Sequence, residues 1–132
     1  MATLRKELVL NAPAERVWDA VRDVGALHTR LVPGFVLDTR MEGEARVVTF
    51  DNGMVVREPI VSVDDGRRRL AWTATGGRTT HYNAVLEVFP ETAACRVVWT
   101  IDLLPHELTA AIGAMQDRGL AAIRRTFEAT GR

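Results

Sequence analysis

The sequence predicts an α+β domain: a seven-stranded antiparallel sheet wrapped around one long C-terminal helix, with two short helices after the first strand. Three observations predict it. Turn signals recur roughly every ten to fourteen residues between Phe35 and Leu104, which is the rhythm of an antiparallel meander. After Pro105 the apolar residues change to a period of about 3.6. The chain has 132 residues, 47% of them hydrophobic, enough for one core and too few for a second. Residues 1–132 are therefore read as a single domain.

Residues 3–11 alternate loosely and form the first strand. Ala12-Pro13-Ala14-Glu15 opens a helix, with Pro13 at a first-turn position where a missing N–H costs nothing and Glu15 near the positive end of the helix dipole. Val17, Trp18 and Val21 give that helix a buried stripe. Gly25 breaks it, a second short helix carries Leu27 and Leu31 one turn apart, and Pro33-Gly34 ends it. Turns follow at Glu42-Gly43, Asn52-Gly53, Asp65-Gly66, Gly76-Gly77 and Pro90-Glu91-Thr92, delimiting six further strands. Asn52-Gly53 is the strongest of these signals, because both residues tolerate the positive φ of a type I′ turn. The last helix runs from Pro105 to about Ala129. Leu108, Ile112, Met115, Gly119, Ala122, Ile123 and Phe127 form its apolar stripe, with Gln116, Asp117, Arg118, Arg124 and Arg125 largely off it. At 1.5 Å per residue it is roughly 36 Å long, against a radius of gyration of about 14 Å for a domain of this size. It must cross the whole molecule with its apolar face on the sheet. A straight helix on a curved sheet leaves a wedge, either packed solid or open as a pocket.

Composition narrows the function. Seventeen basic residues balance 17 acidic ones, which removes the electrostatic footprint of a nucleic-acid binder and the basic excess of a membrane-surface protein. No window approaches 18 apolar residues, so no stable membrane insertion is expected. Arg5, Lys6 and Glu7 interrupt any signal-like apolar start, and a cytoplasmic location is expected. The single cysteine, Cys95, excludes an internal disulfide, and no His/Cys spacing suggests a metal or other cofactor. An edge strand has to be covered somehow, which leaves a homodimer open.

Directly opposed residues of paired strands share a face. A two-residue loop at Glu91-Thr92 places Leu86 opposite Val97, Ala84 opposite Trp99 and Tyr82 opposite Ile101; it also sets Glu87 opposite Arg96 and His81 opposite Asp102. A three-residue loop at Gly76-Gly77-Arg78 sets Trp72 opposite Tyr82. Trp72, Tyr82 and Trp99 thus meet on the concave face. They are either ordinary core or the wall of a pocket, a role that suits side chains with an apolar body and a hydrogen-bonding tip. Met54, Met115, Ala111 and Gly119 could complete such a pocket. Gly119 either lets the helix approach the sheet closely or makes room for a ligand.

Glu58 is the most informative polar residue. In Met54-Val55-Val56-Arg57-Glu58-Pro59-Ile60-Val61 both parities are otherwise apolar, so either Arg57 or Glu58 faces inward. A two-residue loop at Asp64-Asp65-Gly66 favours Arg57, and a three-residue loop favours Glu58. A buried carboxyl there would have its pKa raised by desolvation and would serve as an acid or a ligand partner; a surface ion pair is the plainer alternative. His81 and Asp102 lie on the convex face with no nucleophile at hand, and read as a solvated pair. His28 and His106 read as surface residues, and Arg67-Arg68-Arg69 as a solvated hairpin end.

Asn11-Ala12-Pro13-Ala14-Glu15-Arg16-Val17-Trp18-Asp19-Ala20-Val21, with the strand before it, resembles the opening of the START-like, or Bet v 1-like, superfamily. Arg96-Val97-Val98-Trp99-Thr100-Ile101-Asp102-Leu103-Leu104-Pro105 and the helix after it resemble the last strand and closing helix of its polyketide cyclase/dehydrase and lipid-transport branch. His81-Tyr82-Asn83-Ala84 and Glu87-Val88-Phe89 add to the likeness, which covers nearly the whole chain. The resemblance implies a helix-grip fold with a hydrophobic cavity between sheet and closing helix. With the aromatic cluster, it points to a small hydrophobic or aromatic ligand in a site that the strand and helix faces line with Glu58, Trp72, Tyr82, Trp99 and Met115. The alternative is a cyclase, aromatase or dehydratase without metal or cofactor, for which the strand faces offer Glu58 or Tyr82 as general acid/base. No catalytic residue is carried over from the family.

Overall fold

A computed structural model describes residues 2–128. Seven strands form one antiparallel sheet: β1 (Ala2–Leu10), β2 (Val36–Glu42), β3 (Ala45–Phe50), β4 (Val55–Asp64), β5 (Arg69–Thr73), β6 (His81–Glu91) and β7 (Ala94–Leu104). Their order is β1-β7-β6-β5-β4-β3-β2, a meander whose first strand pairs with its last. Helix α1 (Ala14–Arg22) follows β1, and α2 (Thr109–Glu128) closes the chain. This is the expected helix-grip arrangement. The end of the closing helix expected near Ala129 lies outside the described residues.

Helix α1 starts directly after Pro13, whose carbonyl accepts from the amides of Arg16 and Val17. Val17, Trp18 and Val21 are buried beneath it. Trp18 Nε1 and Arg22 Nε donate to Asp65 Oδ1 at 2.9 and 2.8 Å, tying α1 to the β4–β5 hairpin. The second short helix is a 3-10 turn over Val24–Ala26 continued by a π turn over Leu27–Leu31. A 3-10 turn at His106–Leu108 likewise precedes α2, which is therefore shorter than expected, 20 residues or about 30 Å.

The strand faces are as expected and the registers are not. The β6–β7 turn falls at Thr92-Ala93, where Ala93 takes a φ of 57°, so Glu91 pairs with Ala94 and Leu86 with Trp99. The β5–β6 connection is longer than three residues, and Trp72 pairs with Ala84. Each register slips by two, which preserves every face. Individual pairs change. His81 opposes Leu104, and Asp102 opposes Asn83 and accepts from Thr3 Oγ1 at 2.6 Å. Glu87 opposes Val98, while Arg96 bonds to Glu7 and Glu91 at 2.7 and 2.9 Å. The Asn52-Gly53 turn has positive φ at Gly53 alone, within a three-residue loop between Phe50 and Met54. Arg68 is not simply solvated, since its Nε donates to Glu15 Oε1 at 2.6 Å. His28 is half-buried rather than a surface residue, with Nδ1 unbonded.

The wedge is closed at one end and open at the other. Gly119, Ala122, Ile123 and Phe127 are buried in the second half of α2. A Cβ placed on Gly119 would lie 2.7 Å from Trp99 Cζ3, so this glycine serves close approach. Near the start of α2, Ala111 and Ala114 are exposed, and Ile112 and Met115 are only partly buried. There the helix stands off the sheet.

Candidate functional site

Between the standing-off half of α2 and strands β3–β6 lies a cavity of about 260 Å³. Its buried lining is Phe50, Val56, Glu58, Tyr82 and Leu108. Asn52, Gly77, Arg78, Ala111, Ala114 and Arg118 are exposed and form the mouth. Met54, Ala74, Ile112 and Met115 make apolar walls between floor and mouth. Behind the floor is a second, smaller cavity of about 50 Å³ against Trp72 and Trp99. Phe50, Glu58, Tyr82 and Met115 line both and so form the partition.

Of the five residues expected at the site, Glu58, Tyr82 and Met115 reach the main cavity, together with Met54 and Ala111. Trp72 and Trp99 do meet, ring centroids 6.3 Å apart, but they wall the inner cavity. Both indole N–H groups are buried without a hydrogen-bond partner. Gly119 lines neither cavity.

Glu58, rather than Arg57, is the inward residue. Val61 forms a bulge between Ile60 and Ser62, and the β4–β5 loop has four residues between Asp64 and Arg69. One bulged residue plus a four-residue loop has the same parity as a three-residue loop, which turns Glu58 inward. Glu58 stands directly opposite Arg46 of β3. Arg46 Nε donates to Glu58 Oε1 at 2.8 Å, with the two side chains 3% and 8% exposed. The Arg46 guanidinium also lies 5.2 Å from the Trp72 ring centroid and reaches the Val24 carbonyl at 3.4 Å. Glu58 is thus in a cross-strand ion pair, but a buried one on the concave face.

Burial pushes the Glu58 carboxyl above its ordinary value, against the opposing pull of the Arg46 charge and hydrogen bond. Burial, with the nearby Glu58, pushes the Tyr82 phenol well above the ordinary range. Tyr82 therefore stays protonated at any working pH and acts as a hydrogen-bond donor. Its hydroxyl has no partner among the described residues. The floor accordingly offers a free O–H beside a carboxyl that is paired with a guanidinium on one oxygen.

Two buried polar residues differ from the sequence reading, which does not single out Arg46 and sets Gln116 off the apolar stripe. Arg46 shares parity with Val48 and Phe50, both buried, and that alternation was the available signal. Gln116 sits four residues after Ile112 and three before Gly119, inside the stripe; it is fully buried and donates to the Trp99 carbonyl at 2.8 Å.

A seven-stranded antiparallel sheet gripping a long closing helix, with a cavity between them, defines the helix-grip class of fold. The family described as polyketide cyclase / dehydrase and lipid transport matches residues 1–128, and the chain belongs to it. Among solved structures, a protein from Thermobifida fusca is 32% identical, with a TM-score of 0.80 over 98% of this chain and 95% of that one. The protein XoxI from Bacillus cereus has a TM-score of 0.89 at 17% identity, over 100% of this chain and 99% of that one. A truncated norcoclaurine synthase from Thalictrum flavum shares the fold at a TM-score of 0.67 and 19% identity, over 90% of this chain and 91% of that one. No curated protein matches by sequence. Among the described residues no helix is long and apolar enough to cross a membrane.

Proposed function

We propose that this chain binds a small hydrophobic or aromatic molecule in the cavity between β3–β6 and α2, with Glu58 and Tyr82 orienting a polar group on it. The observation that carries the reading is the unpartnered Tyr82 hydroxyl on the floor of an otherwise largely apolar cavity. Ligand sites are mostly apolar with a few placed polar groups, and a hydroxyl left open to the cavity is such a group. Trp72, Trp99 and Met115 back the floor and hold its shape. Calorimetric titration of the full chain with 2-naphthol tests this. Micromolar to millimolar binding is expected for the natural chain. Ala111→Trp, an exposed mouth position whose new ring would fill the cavity, should abolish binding at an unchanged unfolding midpoint. Undiminished binding by that variant, or none by the natural chain, overturns the reading.

A second reading is turnover: cyclisation or dehydration with Glu58 as general acid. It is favoured by the upward-shifted Glu58 carboxyl at the cavity floor, since an acid group tuned toward neutrality is what proton transfer needs. Tyr82 would serve there by hydrogen bonding, not as a base. Glu58→Gln should then retain binding and lose turnover.

A further inference from the structure

We propose that the molecule this cavity takes is a small aromatic carboxylate, seated with its ring inside and its acid group at the mouth on Arg78. The proposal rests on the ligand-binding reading above and specifies the chemistry of the ligand.

Size sets the first limit. At about 260 Å³ the cavity falls below the roughly 300–1,000 Å³ of sites for drug-sized ligands. It suits one or two fused rings rather than an extended chain.

Charge sets the orientation. The lining contains one carboxyl, Glu58, at the floor, where Arg46 already holds it. An anionic head pushed to the floor would lose its hydration beside that carboxyl and find the guanidinium committed. The mouth is different, because its two charged residues are both arginines, Arg78 and Arg118. Arg118 is engaged, bridging to Asp51 and lying over the Phe35 ring with Cζ 5.2 Å from the centroid. Arg78 has no ion pair and no hydrogen bond among the described residues. It follows Gly76-Gly77 in the segment joining β5 to β6 and lines the mouth of the cavity. Thr79 and Asn52 add further polar groups to the lining. A planar guanidinium matches a carboxylate through paired N–H donors. An aromatic acid entering ring first thus has its apolar body against Met54, Ile112 and Met115 and its charge at Arg78, the mouth arginine with no partner among the described residues.

The test compares 2-naphthoate with its neutral counterpart 2-naphthamide by calorimetry on the full chain. The natural chain should bind the carboxylate about fivefold more tightly, the size of one good ion pair at a partly screened site. That preference should shrink as salt is raised. In Arg78→Gln the ratio of the two dissociation constants should fall to near one; Arg118→Gln should leave the ratio above three. Equal binding of both compounds by the natural chain overturns the proposal and leaves cavity binding standing. So does a preference that survives Arg78→Gln. Binding of neither compound, nor of 2-naphthol, overturns the proposal together with the reading beneath it.

Discussion

Arg46 Nε donates to Glu58 Oε1 at 2.8 Å across directly opposed positions of β3 and β4, with Glu58 lining both cavities and Arg46 the inner one. A buried pair gains little over an apolar replacement, but breaking it from one side is costly. The two sides are not equivalent. Glu58 left alone can take up a proton, whereas Arg46 left alone cannot shed one. Glu58→Gln should therefore destabilise by about 3 kcal/mol, through an uncompensated buried guanidinium.

The same pair makes stability depend on pH. The Glu58 carboxyl is raised by burial, so the folded chain holds that proton more tightly than the unfolded one. Its contribution is favourable at low pH and is lost as pH rises from the ordinary carboxylate value through the raised one. Arg46→Met removes the opposing charge and extends that window upward, with a slope of at most about 1.4 kcal/mol per pH unit. Glu7 and Asp65 act in the other direction, because their arginine hydrogen bonds lower them and their stabilisation is lost as pH falls. The comparison is therefore between variants. Urea unfolding from pH 5 to 8 should show Arg46→Met losing stability with pH more steeply than the natural chain. Parallel curves would place the titration elsewhere.

Tyr82→Phe separates fold from site. The phenol oxygen has no partner among the described residues, so its removal should change the unfolding free energy by less than about 0.5 kcal/mol. A ligand with a ring hydroxyl should feel it. The ratio of 2-naphthoate to 6-hydroxy-2-naphthoate dissociation constants should drop about fivefold, the worth of one hydrogen bond. A large loss of stability with an unchanged ratio would make Tyr82 a core residue and nothing more.

Much of this is legible in the sequence alone. Face assignment depends on parity alone, so the β6–β7 and β5–β6 registers could slip by two and still leave Trp72, Tyr82 and Trp99 together on the concave side. Pair assignment has no such protection, and the His81–Asp102 pairing dissolved with the slip. Glu58 stayed open because its side depends on the bulge at Val61, and nothing in a valine announces a bulge. Arg46 is not singled out by the sequence, and Gln116 reads as off the stripe, because polarity masks the spacing of both. Each sits at a buried step of its own period, and each is accommodated by a specific partner, Glu58 in one case and the Trp99 carbonyl in the other. Where α2 parts from the sheet was not legible, since it follows from the contact of Gly119 with Trp99 across elements distant in sequence.

That contact yields a paired test. Both helical glycines cost about 1 kcal/mol of helix propensity relative to alanine, yet they face different surroundings. A Cβ on Gly113 would meet Leu4 Cδ2 and Lys6 Nζ at 3.7 Å, ordinary contact. One on Gly119 would lie 2.7 Å and 3.0 Å from two atoms of the Trp99 ring and 3.3 Å from Phe35. Both rings would have to shift, and Trp99 stands against Trp72 with ring centroids 6.3 Å apart. Overpacking of this kind costs about 1–3 kcal/mol, more than the propensity gained. Gly113→Ala should raise the unfolding free energy by about 0.5–1 kcal/mol, and Gly119→Ala should lower it by about 1–2 kcal/mol. Urea unfolding with equal slopes for the two variants reads both numbers. Since lifting α2 off Trp99 is the relaxation open to Gly119→Ala, that variant should also widen the cavity and bind 2-naphthoate more weakly. A shift of the same sign in both variants would show that the helix does not close on the sheet at Gly119.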